Sequence, residues 1–261
     1  MSIKEVFDNG TARFICPSCQ SEFDGQYSIS EDSFMAEALK NMYERYQCPA
    51  CVKKAEDEKE EIRKAEKRAE LERSLYERME KTGIPKRFRT LEKPYVRHAA
   101  EWLWLNREHS VLVSGETGTG KTSSVGFIVR LMMKSRYMSV RYCTRQTIFA
   151  DYVRAKTTDG DNESYFLQRL GKLDLLIIDE MVGKKGDSKL SDSAQELFFN
   201  IVDGVYSEER DTKVWILGNF FKGAIEGLVD DPKPLKRRLV DSFKFAWFDE
   251  NGVDETVSIG R

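Results

Sequence analysis

Hydrophobic positions in this chain change their spacing several times, and each change marks a change of element. From Val111 onward, short apolar runs alternate with longer stretches of helical period. Residues 111–113, 140–143, 175–178, 213–217 (KVWIL) and 243–248 (FKFAWF) read as strands. The run Leu175 to Ile178 is apolar at four consecutive positions, the mark of a strand buried on both faces in a parallel sheet. Between these strands, residues 123–137, two stretches of 144–172 around a polar turn at 157–162, 191–206 and the short basic segment 235–242 carry helical spacing. Strand and helix in alternation predict an α/β domain with a mostly parallel sheet.

Upstream the pattern differs. Residues 94–107 (PYVRHAAEWLWLNR) predict a helix ahead of the first of these strands, with Trp102 and Trp104 read as packing residues rather than a base-stacking platform. Residues 53–81 are dominated by Ala, Glu, Lys and Arg, with sparse apolar positions at Ile62, Leu71, Leu75 and Met79. That composition predicts a long solvated helix, a spacer in preference to a dimerisation coil, ended by Gly83 and Pro85. Further upstream, Phe34, Met35, Ala38, Leu39, Met42 and Tyr46 predict one amphipathic helix over 31–46. The expected organisation is therefore a small module at 1–52, a charged helical linker at 53–83 and a main domain at 84–261.

Two features of composition change this picture. The net charge of −2 leaves no global positive field, so any contact with nucleic acid must be local. Arg145, Arg154, Lys156, Arg169 and Lys172 are the best candidates for contacts with a phosphate backbone, against the alternative of a solvated helical face. No apolar run approaches the ~20 residues that cross a bilayer, and the first ten residues lack the core of a secretion signal, so a cytoplasmic protein without membrane contact is expected. Of five cysteines, four fall in two C-x-x-C pairs, Cys16 with Cys19 (CPSC) and Cys48 with Cys51 (CPAC). Each pair in its Pro-containing turn aims two thiolates at one point, and two pairs complete a tetrahedral all-sulfur zinc site. Such a site is closed to substrate, so this module is expected to present a surface rather than to catalyse. Reduced thiols or a redox pair are the alternatives.

The stretch SVLVSGETGTGKTS joins an apolar run to G-x-x-x-x-G-K-T, the pattern of a phosphate-binding loop. Gly115, Glu116, Thr117, Gly118, Thr119, Gly120, Lys121, Thr122 and Ser123 form the expected cradle for a nucleotide polyphosphate, with backbone N–H groups and a helix N-terminus aimed inward. Lys121 is expected to reach the β- and γ-phosphates, and the Thr122 hydroxyl to be a ligand of Mg²⁺. The second motif, LDLLIIDE, ends a buried strand in two carboxylates: Asp179 to hold Mg²⁺ and Glu180 to polarise the attacking water. Both motifs lie at the carboxyl ends of strands, where open α/β sheets place ligands. Asn219, one residue beyond KVWIL, either orients the hydrolytic water or begins a turn. A further cation at the γ-phosphate must come from Arg237 or Arg238, reaching a neighbouring subunit, unless these residues make surface ion pairs.

Taken in order, GIPKRF at 83–88, GETGTGKT, LLIIDE, the strand ending in Asn219 and the basic RRL at 237–239 resemble the AAA+ ATPases of the DnaC-type replicative helicase loaders, whose relatives include the IstB-type transposition helpers. The resemblance covers residues 83–248. It implies a five-stranded parallel sheet with the phosphate-loop strand central, no C-terminal lid, Glu180 as catalytic carboxylate, Asn219 as sensor and Arg238 as arginine finger in trans. It further implies a Mg-dependent ATPase that forms a homo-oligomer on ATP and single-stranded DNA, with Cys16, Cys19, Cys48 and Cys51 similar in position and chemistry to the zinc modules with which some loaders grip the replicative helicase. A divergent, phage-encoded loader fits this pattern, and a transposition helper that recruits a transposase is the alternative.

Overall fold

The computed structural model describes residues 3–6, 11–26, 47–157, 162–181, 189–207, 211–219, 229–249 and 252–255. The helix expected at 31–46 lies outside them. The chain divides into two compact units, residues 1–69 and 70–261.

In the first unit, β1 (Ile3–Val6), β2 (Thr11–Ile15) and β3 (Glu22–Gln26) form an antiparallel sheet. Strand β2 alternates, burying Ala12 and Phe14 while Arg13 faces out to pair with Asp24 at 2.9 Å. Phe14 stacks on Phe23 with centroids 5.7 Å apart. Helix α1 (Pro49–Lys81) follows the second cysteine turn, and the division between units falls inside it, between Ala69 and Glu70. Leu71, Leu75 and Met79 recur every four residues, so they lie along one stripe, and all three are buried. Ile62 is 60% exposed. The last turns of the helix are thus core of the second unit rather than solvated spacer.

The second unit contains α2 (Lys86–Arg89), α3 (Arg97–Leu105), β4 (Val111–Gly115), α4 (Lys121–Ser135), β5 (Val140–Thr144), α5 (Arg145–Thr157), α6 (Asn162–Gly171), β6 (Leu175–Asp179), α7 (Asp192–Tyr206), β7 (Lys213–Leu217), α8 (Pro232–Ser242), β8 (Lys244–Phe248) and β9 (Val253–Asp254). Its sheet runs β5-β6-β7-β4-β8-β9. The first five of these strands are mutually parallel, and the two-residue β9 adds an antiparallel edge beside β8. The expected five parallel strands are present, and β4 lies inside the sheet.

Successive side chains on a strand face opposite ways, which explains why the strand runs are apolar throughout. Leu176, Ile178, Val214 and Ile216 pack with Ile148, Tyr152, Leu197, Phe198 and Leu239 in one core. Leu175, Ile177, Trp215 and Leu217 pack with Leu75, Met79, Phe88, Leu103 and Ile128 in the other. Trp102 belongs to this second core, edge-on to Phe248, whereas Trp104 is exposed with the Arg107 guanidinium 4.3 Å over its ring. No helix among the described residues is long and apolar enough to cross a membrane.

Candidate nucleotide site and cysteine cluster

Strand β4 runs into the glycine-rich loop and α4 leaves it, with Gly120 at the helix N-cap in a left-handed conformation. The N-terminal amides of α4 therefore open onto the loop, an arrangement that attracts anions. Lys121 is buried, and its ammonium donates to the carbonyls of Gly115 (2.6 Å) and Glu116 (2.7 Å) and, at 3.4 Å, to the Thr119 hydroxyl. Burial pushes its pKa down to about 8, while Asp179 and Glu116 oppose the shift. The loop is braced from within: Thr119 Oγ1 donates to the Glu116 carbonyl at 2.9 Å and Ser123 Oγ to the Gly120 carbonyl at 3.0 Å.

Asp179 ends β6 and is buried. Its Oδ2 accepts the hydroxyls of Thr122 and Tyr142, each at 2.7 Å, and its Oδ1 accepts the backbone N–H of Glu180 at 2.8 Å. Glu180 is exposed and takes a positive φ of 56°, a conformation uncommon for a non-glycine residue. Thr122 and Asp179 are adjacent oxygen donors beside a phosphate-binding loop, which fits a magnesium ion.

Because β7 lies between β6 and β4, its carboxyl end emerges between the acidic pair and the loop. The Met181 N–H donates to the Leu217 carbonyl at 2.9 Å and the Gly218 N–H to the Val113 carbonyl at 3.1 Å, locking the three strand ends together. Asn219 follows, half-buried. A single cavity of about 880 Å³ takes in Thr117, Gly118, Gly120, Lys121, Thr122, Ser123, Asp179, Glu180 and Asn219. Gly115, Glu116 and Thr119 reach it through their bonds to Lys121.

The same cavity is lined by residues to which the sequence reading assigns no nucleotide contact: Arg87, Phe88, Tyr95, Val96, Arg145 and Gln146. Arg145 and Gln146 begin α5 directly after β5, so the rule that ligands gather at strand carboxyl ends is the signal that points to them. Among the cations considered for DNA, Arg145 donates to the Met181 carbonyl at 3.4 Å, Lys156 pairs with Glu196, and Arg154 with Asp151 at 3.8 Å. Arg237 and Arg238 do not line the cavity of their own chain. Arg238 pairs with Asp203 and lies 4.5 Å over the Phe199 ring, while Arg237 is exposed and 3.8 Å from Asp241.

In the first unit, the Sγ atoms of Cys16, Cys19, Cys48 and Cys51 all lie within 4.8 Å of one another. A zinc–thiolate tetrahedron with bonds of about 2.3 Å has sulfur–sulfur edges of about 3.8 Å, and Cys19 to Cys48 measures 3.6 Å. The cluster fits structural zinc. The turn after β2 supplies the first pair and the start of α1 the second. The Cys48 N–H donates to Cys16 Sγ at 3.4 Å, which holds the Cys16 thiol down to about 6.

Comparison with known proteins places these features. The sequence profile of the IstB-like ATP binding proteins matches residues 55–217. No curated protein matches the chain. Among solved structures, the crystal structure of the DnaC helicase loader superposes with a TM-score of 0.49 and 13% identity, over 63% of this chain and 100% of that one. The crystal structure of DnaI gives 0.48 and 15%, over 66% and 97%. AMPPCP-bound DnaA from Aquifex aeolicus gives 0.43 and 17%, over 56% of this chain and 43% of that one. All three lie below a TM-score of 0.5, so the family rests on the sequence profile. That profile runs from inside α1 through the phosphate loop and both carboxylates to the last residue of β7, and the chain belongs to the family of IstB-like ATP binding proteins.

Proposed function

We propose that this protein is a Mg-dependent ATPase that loads a replicative DNA helicase onto single-stranded DNA. The observation that carries the enzymatic part is the meeting of Lys121, Thr122, Asp179, Glu180 and Asn219 in one cavity. The loop amides and Lys121 hold the polyphosphate, and Thr122 with Asp179 hold the magnesium ion. That ion, when bound, neutralises charge on the phosphates. Glu180, exposed at the cavity wall, accepts a proton from the attacking water, and Asn219 orients that water.

Beyond Lys121, Arg87 and Arg145 are the described cations that line the chain's own cavity, and neither arginine of α8 does; a further cation from α8 therefore acts only in trans, within a homo-oligomer. Arg237 is free to swing away from a weak surface pair, whereas Arg238 must first leave Asp203. The cysteine module, folded around zinc, supplies the surface that binds the helicase. Its presence ahead of the ATPase domain favours the loader over the family's other reading, a transposition helper that binds DNA and recruits a transposase.

Two measurements test this. Replacing Glu180 by Gln is expected to lower ATP turnover by orders of magnitude with nucleotide affinity retained, and unchanged turnover would remove the ATPase. Mixing the protein with the replicative helicase of its host, with and without ATP, is expected to give a complex that deposits helicase on single-stranded DNA. Binding to a transposase and duplex DNA instead would favour the helper.

A further inference from the structure

Strand β5 pairs with β6 in parallel register, Tyr142 opposite Ile177 and Thr144 opposite Asp179. Alternation puts Tyr142, Ile177 and Asp179 on the same face of the sheet, since neighbouring strands in register share their pleat. A tyrosine is long enough to span the two residues from the level of Ile177 to Asp179, and its hydroxyl reaches Asp179 Oδ2 at 2.7 Å. The residue directly opposite the carboxylate, Thr144, instead bonds Thr147 at the start of α5. Tyr142 is itself held in place. Its backbone N–H donates to the Thr82 carbonyl at 2.6 Å, so the segment that follows α1 covers this edge of the sheet.

Asp179 is buried with a charge that requires donors. One oxygen is satisfied by the Glu180 N–H, and the other accepts Thr122 and Tyr142 together. The Thr122 oxygen, on the reading of the cavity given above, would also serve as a ligand of the metal ion. Tyr142 is the one side-chain donor to Asp179 among the described residues that lies outside the phosphate loop.

We propose that Tyr142 is a positioning residue, whose hydroxyl fixes the Asp179 carboxylate in the orientation that, with Thr122, receives a magnesium ion. This rests on the reading of the cavity as a magnesium–nucleotide site and adds the group that orients it. Outer-shell hydrogen bonds of this kind set ligand orientation, and their removal costs about ten- to a hundred-fold in metal affinity.

The test is Tyr142→Phe in the full chain, which keeps the ring and removes one oxygen. Binding of a fluorescent ATP analogue is titrated against Mg²⁺ and repeated in EDTA, direct Mn²⁺ binding is followed by its paramagnetic signal, and the thermal midpoint is recorded. The expected result is a Mg²⁺ half-saturation raised about ten-fold or more and weaker Mn²⁺ binding, with affinity in EDTA unchanged and kcat recovered at saturating Mg²⁺. An unshifted Mg²⁺ dependence would overturn the proposal. So would an equal loss of affinity in EDTA, which would mean that the hydroxyl supports the loop instead. If the unsubstituted protein itself shows no Mg²⁺-dependent nucleotide binding, the magnesium–nucleotide reading fails, and this proposal with it.

Discussion

Two glycines of the phosphate loop share a backbone restriction but differ in surroundings, which makes them a controlled pair. Gly115 has φ 146° and Gly118 φ 92°, both in territory that other residues avoid. Replacement by alanine carries backbone strain at both, on the order of 1–3 kcal/mol, and no less at Gly115, whose φ lies farther from the left-handed helical well. At Gly118 a Cβ meets nothing within 4 Å, so this strain is the whole stability cost. At Gly115 a Cβ falls 2.2 Å from the Phe248 carbonyl oxygen and 3.1 Å from its carbon. That neighbour is backbone of β8, paired with β4 from Val111–Lys244 to Gly115–Phe248, so no rotamer change relieves the contact. The strand end must move by roughly 1 Å, adding about 1–3 kcal/mol of overpacking and weakening one or two ladder bonds at about 1 kcal/mol each. Urea titration of the second unit is therefore expected to show Gly118→Ala milder than Gly115→Ala by at least about 2 kcal/mol. Nucleotide binding is expected to behave differently, because Gly118 lines the cavity: Gly118→Ala should weaken ATP binding in a protein that remains folded. Equal destabilisation by the two substitutions would refute the assigned close approach of β4 to β8.

Further predictions follow from the same geometry. Burial holds Lys121 to about 8 in the free protein against an ordinary 10.5, and a bound polyphosphate must raise it. ATP affinity is thus expected to be full below pH 8 and to fall by up to about ten-fold per unit above it, measured by calorimetry. Lys121→Arg should bind more weakly but without that slope, and a flat parent profile to pH 9.5 would contradict the assignment. For the cysteine cluster, about one zinc per chain is expected by metal analysis, with chelation releasing hydrogen-exchange protection in β2 and β3 and Cys19→Ser lowering the zinc content; a chain that keeps this protection without metal would count against a structural role. Met79→Ala, at a fully buried position, should cost about 2–5 kcal/mol, whereas Ile62→Ala should stay within about 0.5 kcal/mol, read from urea midpoints.

The phosphate loop and the acidic pair were legible because their chemistry is written in contiguous residues: a glycine pattern after an apolar run, and two carboxylates at the end of another. Tyr142 was not, since in sequence it is one aromatic in a short strand, and only parallel pairing in a particular register brings its hydroxyl to Asp179. The end of α1 departs from its sequence pattern for a related reason. Three apolar residues at four-residue spacing in a charged helix suit a solvated spacer equally well, until the core that includes Ile84 and Phe88 takes in Leu75 and Met79. Strands β1 to β3 went unread because their inward alternation is carried by few residues, Ala12, Phe14 and Phe23 among those described. Asn219 lies between these extremes. Its position after a buried strand is plain, but its relation to Glu180 depends on β7 lying between β6 and β4, a matter of strand order that no local pattern records. Local chemistry thus points to the groups proposed to hold phosphate and metal, while strand order and register determine which polar neighbours are close enough to orient them.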